Sequence, residues 1–225
     1  MISNEKAMEY GLMNKGIFIT FEGNDGSGKT TQITRLKDYL TELGIEVLWL
    51  REPGGTPIGE KIRNIVLDKE NMGMCDVTEM LLYAASRAQL VATVIKPGLQ
   101  ACKAVICDRF VDSSYAYQGI GRALGLETVI QANQPAVGDC MPDITFFMDI
   151  DADSAMARRN SKGEEADRIE IERMDFHRRV YDGYLKLADI YSDRIKRIDV
   201  MRSPDEVFEE IKGYVDILLK GYDIT

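Results

Sequence analysis

Residues 16–43 carry the pattern that most restricts the fold. An apolar, β-rich run, GIFITFE (16–22), stops at the glycine loop GNDGSGKT (23–30). The residues after it set Ile33, Leu36, Leu40 and Leu43 at helical spacing. The loop matches GxxxxGK[ST] through Gly23, Gly28, Lys29 and Thr30. Glycines at these places let the backbone turn tightly and bring its N–H groups onto phosphate oxygens, and the helix N-terminus adds partial positive charge. Lys29 is then placed to reach the β- and γ-phosphates of ATP, and Thr30 to bind Mg²⁺ through its hydroxyl. The expected ATP site is the whole loop: Gly23, Asn24, Asp25, Gly26, Ser27, Gly28, Lys29, Thr30 and Thr31. Given ordinary Gly, Lys, Ser and Thr usage, a chance match in a chain of this length is roughly one in a hundred. A bland glycine turn would need neither the strand before nor the helix after.

The same alternation continues down the chain. Apolar runs at 45–50, 104–107, 144–150 and 195–200 read as four more strands, separated by helical patterns near 58–67, 77–101, 112–118, 125–136, 153–160, 168–190 and 204–220. Gly44 ends the first helix and Pro204 falls in the first turn of the last. Continuous apolar strands alternating with helices predict a five-stranded parallel sheet covered on both faces, a three-layer α/β/α domain. Residues 1–15 read as an N-terminal extension, 16–220 as a single domain, and the polar stretch 161–167 as mobile.

Composition narrows the partners. A net charge of −9 argues against nucleic acid, which selects basic surfaces. The start of the chain lacks the apolar core of a signal peptide, and no run reaches the roughly 18 apolar residues of a membrane span. The four cysteines, Cys75, Cys102, Cys107 and Cys140, include no CxxC pair and read as reduced, mostly buried thiols. The expected location is cytoplasmic.

A phosphate loop alone leaves a kinase, an ATP-driven machine and a nucleotide switch open. The chain is short for a motor, and no NKxD-type guanine-reading segment follows the late strands. Arginines are plentiful where charge must be neutralised: Arg51, Arg63, Arg87, Arg109, Arg158, Arg159 and Arg168. His177, the single histidine, reads as a surface residue with no partner for base catalysis. A phosphate monoester, with a second pKa of about 6, is already a nucleophilic anion at neutral pH. The absence of an obvious base favours a phosphate acceptor.

The segments FITFEGNDGSGKTTQ (18–32), REPGGTPIGEKIR (51–63), LLYAASRAQ (81–89), CDRFVDSSYAYQGIGR (107–122), PDITFFMDID (142–151) and DRIE (167–170) carry a close resemblance. In content and order they are similar to thymidylate kinases of the bacterial kind. The resemblance covers about residues 16–215. It implies the nucleoside monophosphate kinase type of phosphate-loop fold, a homodimer, and transfer of the γ-phosphoryl of ATP to dTMP with Mg²⁺. By the same resemblance, Asp25 meets the sugar 3′-hydroxyl, Tyr83 stacks on thymine, and Arg87 hydrogen-bonds its carbonyl. Asp108 holds Mg²⁺ or its waters, Arg109 and Arg63 clamp the dTMP phosphate, and Glu52 and Pro53 flank it. Ser113, Ser114, Tyr117 and Gln118 line base and sugar, with Tyr117 crowding the 2′ position.

Residues 158–168 resemble the lid. Gly26 stands where the eukaryotic kind has an arginine, so the resemblance assigns the catalytic cation to the lid. An arginine often precedes the lid glycine; this chain has Lys162 before Gly163. Lys162, Arg158 or Arg159 then supplies the charge, with Arg168 a further candidate. A related nucleotide or deoxynucleoside kinase and a non-catalytic nucleotide-binding module stay open as alternatives.

Overall fold

A computed structural model describes residues 15–161 and 166–221. Five strands, β1 (Ile17–Glu22), β2 (Val47–Arg51), β3 (Ala104–Asp108), β4 (Ile144–Asp149) and β5 (Ile195–Asp199), form one sheet. All pairings are parallel, in the order β2-β3-β1-β4-β5. Parallel neighbours require crossovers, and helices supply them. They are α1 (Lys29–Glu42), α2 (Pro57–Leu67), α3 (Asp76–Leu90), α4 (Lys96–Gln100), α5 (Val111–Ser114), α6 (Leu126–Val137), α7 (Ala152–Asn160), α8 (Met174–Ile190) and α9 (Pro204–Lys220).

Side chains of β1 alternate between two cores. Ile17, Ile19 and Phe21 pack with Ile33, Leu36 and Leu40 of α1 and with Val207, Ile211 and Val215 of α9. Phe18 faces the other way, into a cluster holding Met80 of α3, Val111 of α5 and Val180, Tyr184 and Leu187 of α8. This is the three-layer arrangement expected from the strand pattern.

Local signals account for the boundaries. The Thr56 side chain accepts from the Gly59 N–H ahead of Pro57, and Ser203 with Glu206 forms a full capping box at α9. The long helix read over 77–101 is α3 and α4 joined by a π-helical turn, Val91–Ile95. A second such turn, Tyr115–Gly121, extends α5. Turns of this kind frequently occur at functional sites.

Two expectations need correction. The helix read from 168 begins at Met174. Asp167 Oδ1 instead accepts from the N–H groups of Ile169 and Glu170, a local turn that competes with helix. Arg168 is meanwhile buried, donating to the Val66 carbonyl and to Glu79. Of the thiols, Cys107 and Cys140 are buried, Cys102 is half-buried and Cys75 exposed, so burial holds for two of the four. Residues 1–14, Lys162 and Gly163 lie outside the described residues. Among those described, no helix is long and apolar enough to cross a membrane.

Candidate active site

The carboxyl ends of β1, β3 and β4 converge at the centre of the sheet, where parallel α/β folds collect ligands. The loop after β1 is held by its glycines. A Cβ on Gly23, whose φ is +129°, would sit 2.8 Å from the Met148 carbonyl of β4. A Cβ on Gly26, at φ +90°, would sit 2.4 Å from the Ala155 carbonyl of α7. Neither backbone atom can yield as a flexible side chain would. Lys29, 6% exposed, arches back over the loop and donates to the carbonyls of Gly23 (2.9 Å) and Asn24 (3.1 Å). Burial and the neighbouring Arg109 lower its ammonium from the ordinary value, while Asp25 and Asp108 oppose that shift. Thr30 and Thr31 open α1 on its exposed side.

Several buried polar atoms around this loop have no hydrogen-bond partner among the described residues: both side-chain heteroatoms of Asn24, Ser27 Oγ, Asp108 Oδ1 and Arg159 Nε. Buried polar groups are rarely left unpaired without a reason. Asp108 ends β3 beside the loop, so its bare carboxylate oxygen suits a hard cation with oxygen ligands and waters, as Mg²⁺ prefers.

Next to the loop opens a cavity of about 150 Å³. It is lined by every residue expected to contact the acceptor: Asp25, Glu52, Pro53, Arg63, Tyr83, Arg87, Arg109, Ser113, Ser114, Tyr117 and Gln118. Leu67, Phe110, Asp167, Ile169 and Glu170 complete the wall. Asp25 joins this cavity to the phosphate loop. Its Oδ1 accepts from Arg109 Nη2 at 2.9 Å and lies 3.6 Å from Lys29 Nζ. Burial pushes its carboxyl up, but the Arg109 and Lys29 charges outweigh that and hold it below the usual carboxylate range.

Arg109 has a left-handed backbone, φ +67°, and its guanidinium lies 5.3 Å from the Tyr117 ring centroid. Arg63 Nη1 donates to the Pro53 carbonyl at 3.1 Å. Tyr83 faces the cavity from α3; burial raises its phenol, which stays neutral. Gln118 donates to Glu79 at 2.9 Å, a carboxylate shared with Arg122 and Arg168.

Arg87 is 1% exposed and thoroughly engaged. Its Nε donates to Glu52 Oε2 (2.8 Å), its Nη1 to Ser114 Oγ (3.0 Å) and Asn133 Oδ1 (2.5 Å), and its Nη2 to the Phe110 carbonyl (3.0 Å). Nη2 also lies 2.6 Å from Glu52 Oε2. A guanidinium has five N–H groups, and these partners occupy them; a base carbonyl would have to share one. Burial pushes the Glu52 carboxyl up to about 7 against the opposing Arg87 charge, and its Oε1 has no partner among the described residues.

The lid candidates separate. Arg158 turns to the end of β5, where both terminal nitrogens donate to the Val200 carbonyl at 3.2 Å. Arg159, 6% exposed, donates to Glu170 at 2.8 Å and faces a narrow gap shared with Asn24 and Asp25. The structure thus brings Arg159, not Arg158, to the phosphate loop, and uses Arg168 to tie the chain after the lid to α3. His177 lines the same gap, 9% exposed and packed edge-on against Phe176, which corrects the surface reading. It occupies the inward stripe of α8, and burial lowers its pKa. Glu22 and Tyr184, buried against Ser113 of the cavity wall, belong to no motif; their one legible signal is an acidic residue closing an otherwise apolar strand.

The thymidylate kinase family profile matches residues 21–211. A thymidylate kinase of Clostridium novyi is 46% identical over 204 residues, covering 90% of this chain and all of the relative. One of Thermoanaerobacter pseudethanolicus is 50% identical over 206 residues, covering 92% and 98%. The crystal structure of thymidylate kinase from Ehrlichia chaffeensis superposes with a TM-score of 0.72 at 36% identity, covering 89% of this chain and 98% of that one. With the profile spanning most of the sequence and relatives near half identical along almost their full length, the chain belongs to the thymidylate kinase family.

Proposed function

We propose that this chain transfers the γ-phosphoryl group of ATP to dTMP, giving ADP and dTDP. The observation that carries the reading is the position of Asp25: one residue belongs both to the phosphate loop and to the acceptor cavity, so the two substrates meet there. A dTMP phosphate oxygen attacks the γ-phosphorus, the bond to the bridging oxygen of ADP breaks, and no external base is needed because the acceptor is already an anion.

The chain's part is placement and charge neutralisation. Lys29 and the loop N–H groups hold the donor phosphates. Arg109 and Arg63 hold the acceptor phosphate, and Asp25 accepts from the sugar hydroxyl while keeping Arg109 aimed. Tyr83 offers a ring face to thymine, with Gln118 and Arg87 at its edge; Ser113, Ser114, Glu52 and Pro53 close the walls, and Tyr117 crowds the 2′ position. Asp108 and Thr30 would hold Mg²⁺, which supplies positive charge against the donor phosphates. Arg159 is the lid cation favoured by position.

We also infer a homodimer. Ile58 and Ile65 on α2 and Val77 and Leu81 on α3 are exposed, on two helices packed against each other, and a self-complementary apolar face of this kind suits a two-fold partner. The activity is tested by coupled ADP release with ATP, Mg²⁺ and a panel of dTMP, dUMP, UMP, dCMP and thymidine. Turnover is expected with dTMP foremost; turnover of thymidine and none of dTMP would refute the reading.

A further inference from the structure

Glu22 closes β1 immediately before the phosphate loop, and its side chain is fully buried. No step assigned above uses it, yet it is densely bonded. Its Oε1 accepts from the Phe110 N–H (2.7 Å) and the Ser113 N–H (3.2 Å); its Oε2 accepts from Ser113 Oγ (2.5 Å) and Tyr184 OH (2.9 Å). These donors come from the segment after β3 and from α8, so one carboxylate joins three parts of the site.

The polarity of these bonds matters more than their number. An ionised carboxylate only accepts. Ser113 and Tyr184 each have a single hydroxyl hydrogen, and their oxygens also lie 2.9 Å from one another; an ionised Glu22 oxygen, 2.5 Å from one and 2.9 Å from the other, is the stronger acceptor and draws both hydrogens to itself. Their lone pairs are then free for Arg109, whose Nη1 lies 3.3 Å from Ser113 Oγ and 3.2 Å from Tyr184 OH. The other terminal nitrogen reaches Asp25 at 2.9 Å. Arg109 also sits in a left-handed backbone conformation that a long side chain rarely adopts unless its surroundings impose it. The bonds from Glu22 to the N–H of the next residue, Phe110, and of Ser113 pin that turn from below.

We propose that Glu22 is a positioning residue: as an acceptor-only group it orients the Ser113 and Tyr184 hydroxyls and fixes the Phe110 turn, and through both it aims the Arg109 guanidinium at the acceptor phosphate. The proposal rests on the assignment of Arg109 to that phosphate. An amide in place of the carboxylate would present an N–H to the two hydroxyls. They would then accept from it and turn their hydrogens toward Arg109.

Burial, with the nearby Asp112 charge, pushes the Glu22 carboxyl up to about 7, so the acceptor-only form prevails above that; the test is steady-state kinetics of Glu22→Gln, Arg109→Ala and the double variant at a pH of about 8, together with their thermal midpoints. Glu22→Gln is expected to raise the dTMP KM about tenfold, the scale of one weakened hydrogen bond to a charged group. The ATP KM should stay within about twofold. In the Arg109→Ala background the same substitution should add less than about twofold, because the residue it acts through is gone. Tyr184→Phe, which removes one Nη1 acceptor and no charge, should move the dTMP KM the same way by a smaller factor, and serves if the amide variant fails to fold. Equal effects of Glu22→Gln in both backgrounds, or wild-type kinetics in Glu22→Gln or Tyr184→Phe beside an impaired Arg109→Ala, would overturn the positioning role alone. An unchanged dTMP KM in Arg109→Ala would remove the Arg109 assignment and the proposal with it. Absence of dTMP turnover in the parent enzyme would remove the functional reading itself.

Discussion

At the scale of single residues, the proposed acceptor cavity works by saturation. Arg87 is the clearest case, a buried guanidinium whose donors all end on protein groups. Removing such a group leaves the Glu52 carboxylate buried beside an empty space, and breaking a buried pair in this way costs about 3–5 kcal/mol. Arg87→Ala should therefore do more than weaken dTMP binding. The dTMP KM is expected to rise at least about tenfold, the ATP KM to stay put, and the denaturant midpoint to drop by an amount matching that cost. A large KM effect with an unaltered midpoint would show that the network around Arg87 relaxes freely. The residue's identity and helical position were legible in the sequence; its partners were not, because Glu52, Ser114 and Asn133 are 35, 27 and 46 positions away and meet it only in the folded chain.

At the scale of elements, α7 decides which of the proposed lid cations faces the phosphate loop. Arg158 and Arg159 are adjacent, and one step along a helix turns a side chain by about 100°. One arginine is thereby sent to the Val200 carbonyl and the other to the gap beside Asn24. Arg159→Ala is expected to lower kcat by about 10²-fold or more, the scale for losing one preorganised charge in a phosphoryl or acyl transfer site. Arg158→Ala should change kcat less than about threefold, its guanidinium being engaged with the Val200 carbonyl after β5. Rates measured at saturating ATP and dTMP decide this, and the reverse order would reassign the role. The same helix explains Gly26. With the Ala155 carbonyl 2.4 Å from any Cβ there, the loop has no room for a side chain, so charge must arrive from across the gap.

At the scale of the whole molecule, the exposed apolar residues of α2 and α3 are the face on which the proposed dimer rests. Their burial against a second copy would remove Ile58, Ile65, Val77 and Leu81 from water at roughly 1.5–3 kcal/mol per fully buried side chain. Leu81→Glu places a charge on that face without touching the core. Sedimentation should find the parent chain near twice 25.3 kDa and the variant near that mass itself, with its thermal transition still cooperative. A parent chain that sediments as a monomer would remove the dimer.

The sequence by itself determined the sheet, its parallel sense and the phosphate loop, because each depends on short-range facts: periodicity, a strand-loop-helix junction, glycines where a Cβ has no space. Through the resemblance it also named Asp25, Glu52, Pro53, Arg63, Tyr83, Arg87, Arg109, Ser113, Ser114, Tyr117 and Gln118, which the fold gathers around one cavity. Only the tertiary structure decided how these residues are wired. That His177 is buried, that the segment at 168 is a clamped turn, that Arg159 rather than Arg158 meets the loop, and that Glu22 underlies Arg109 all follow from side chains far apart in sequence competing for the same few donors and acceptors in a space closed to water, where each must find a partner and the fold settles which.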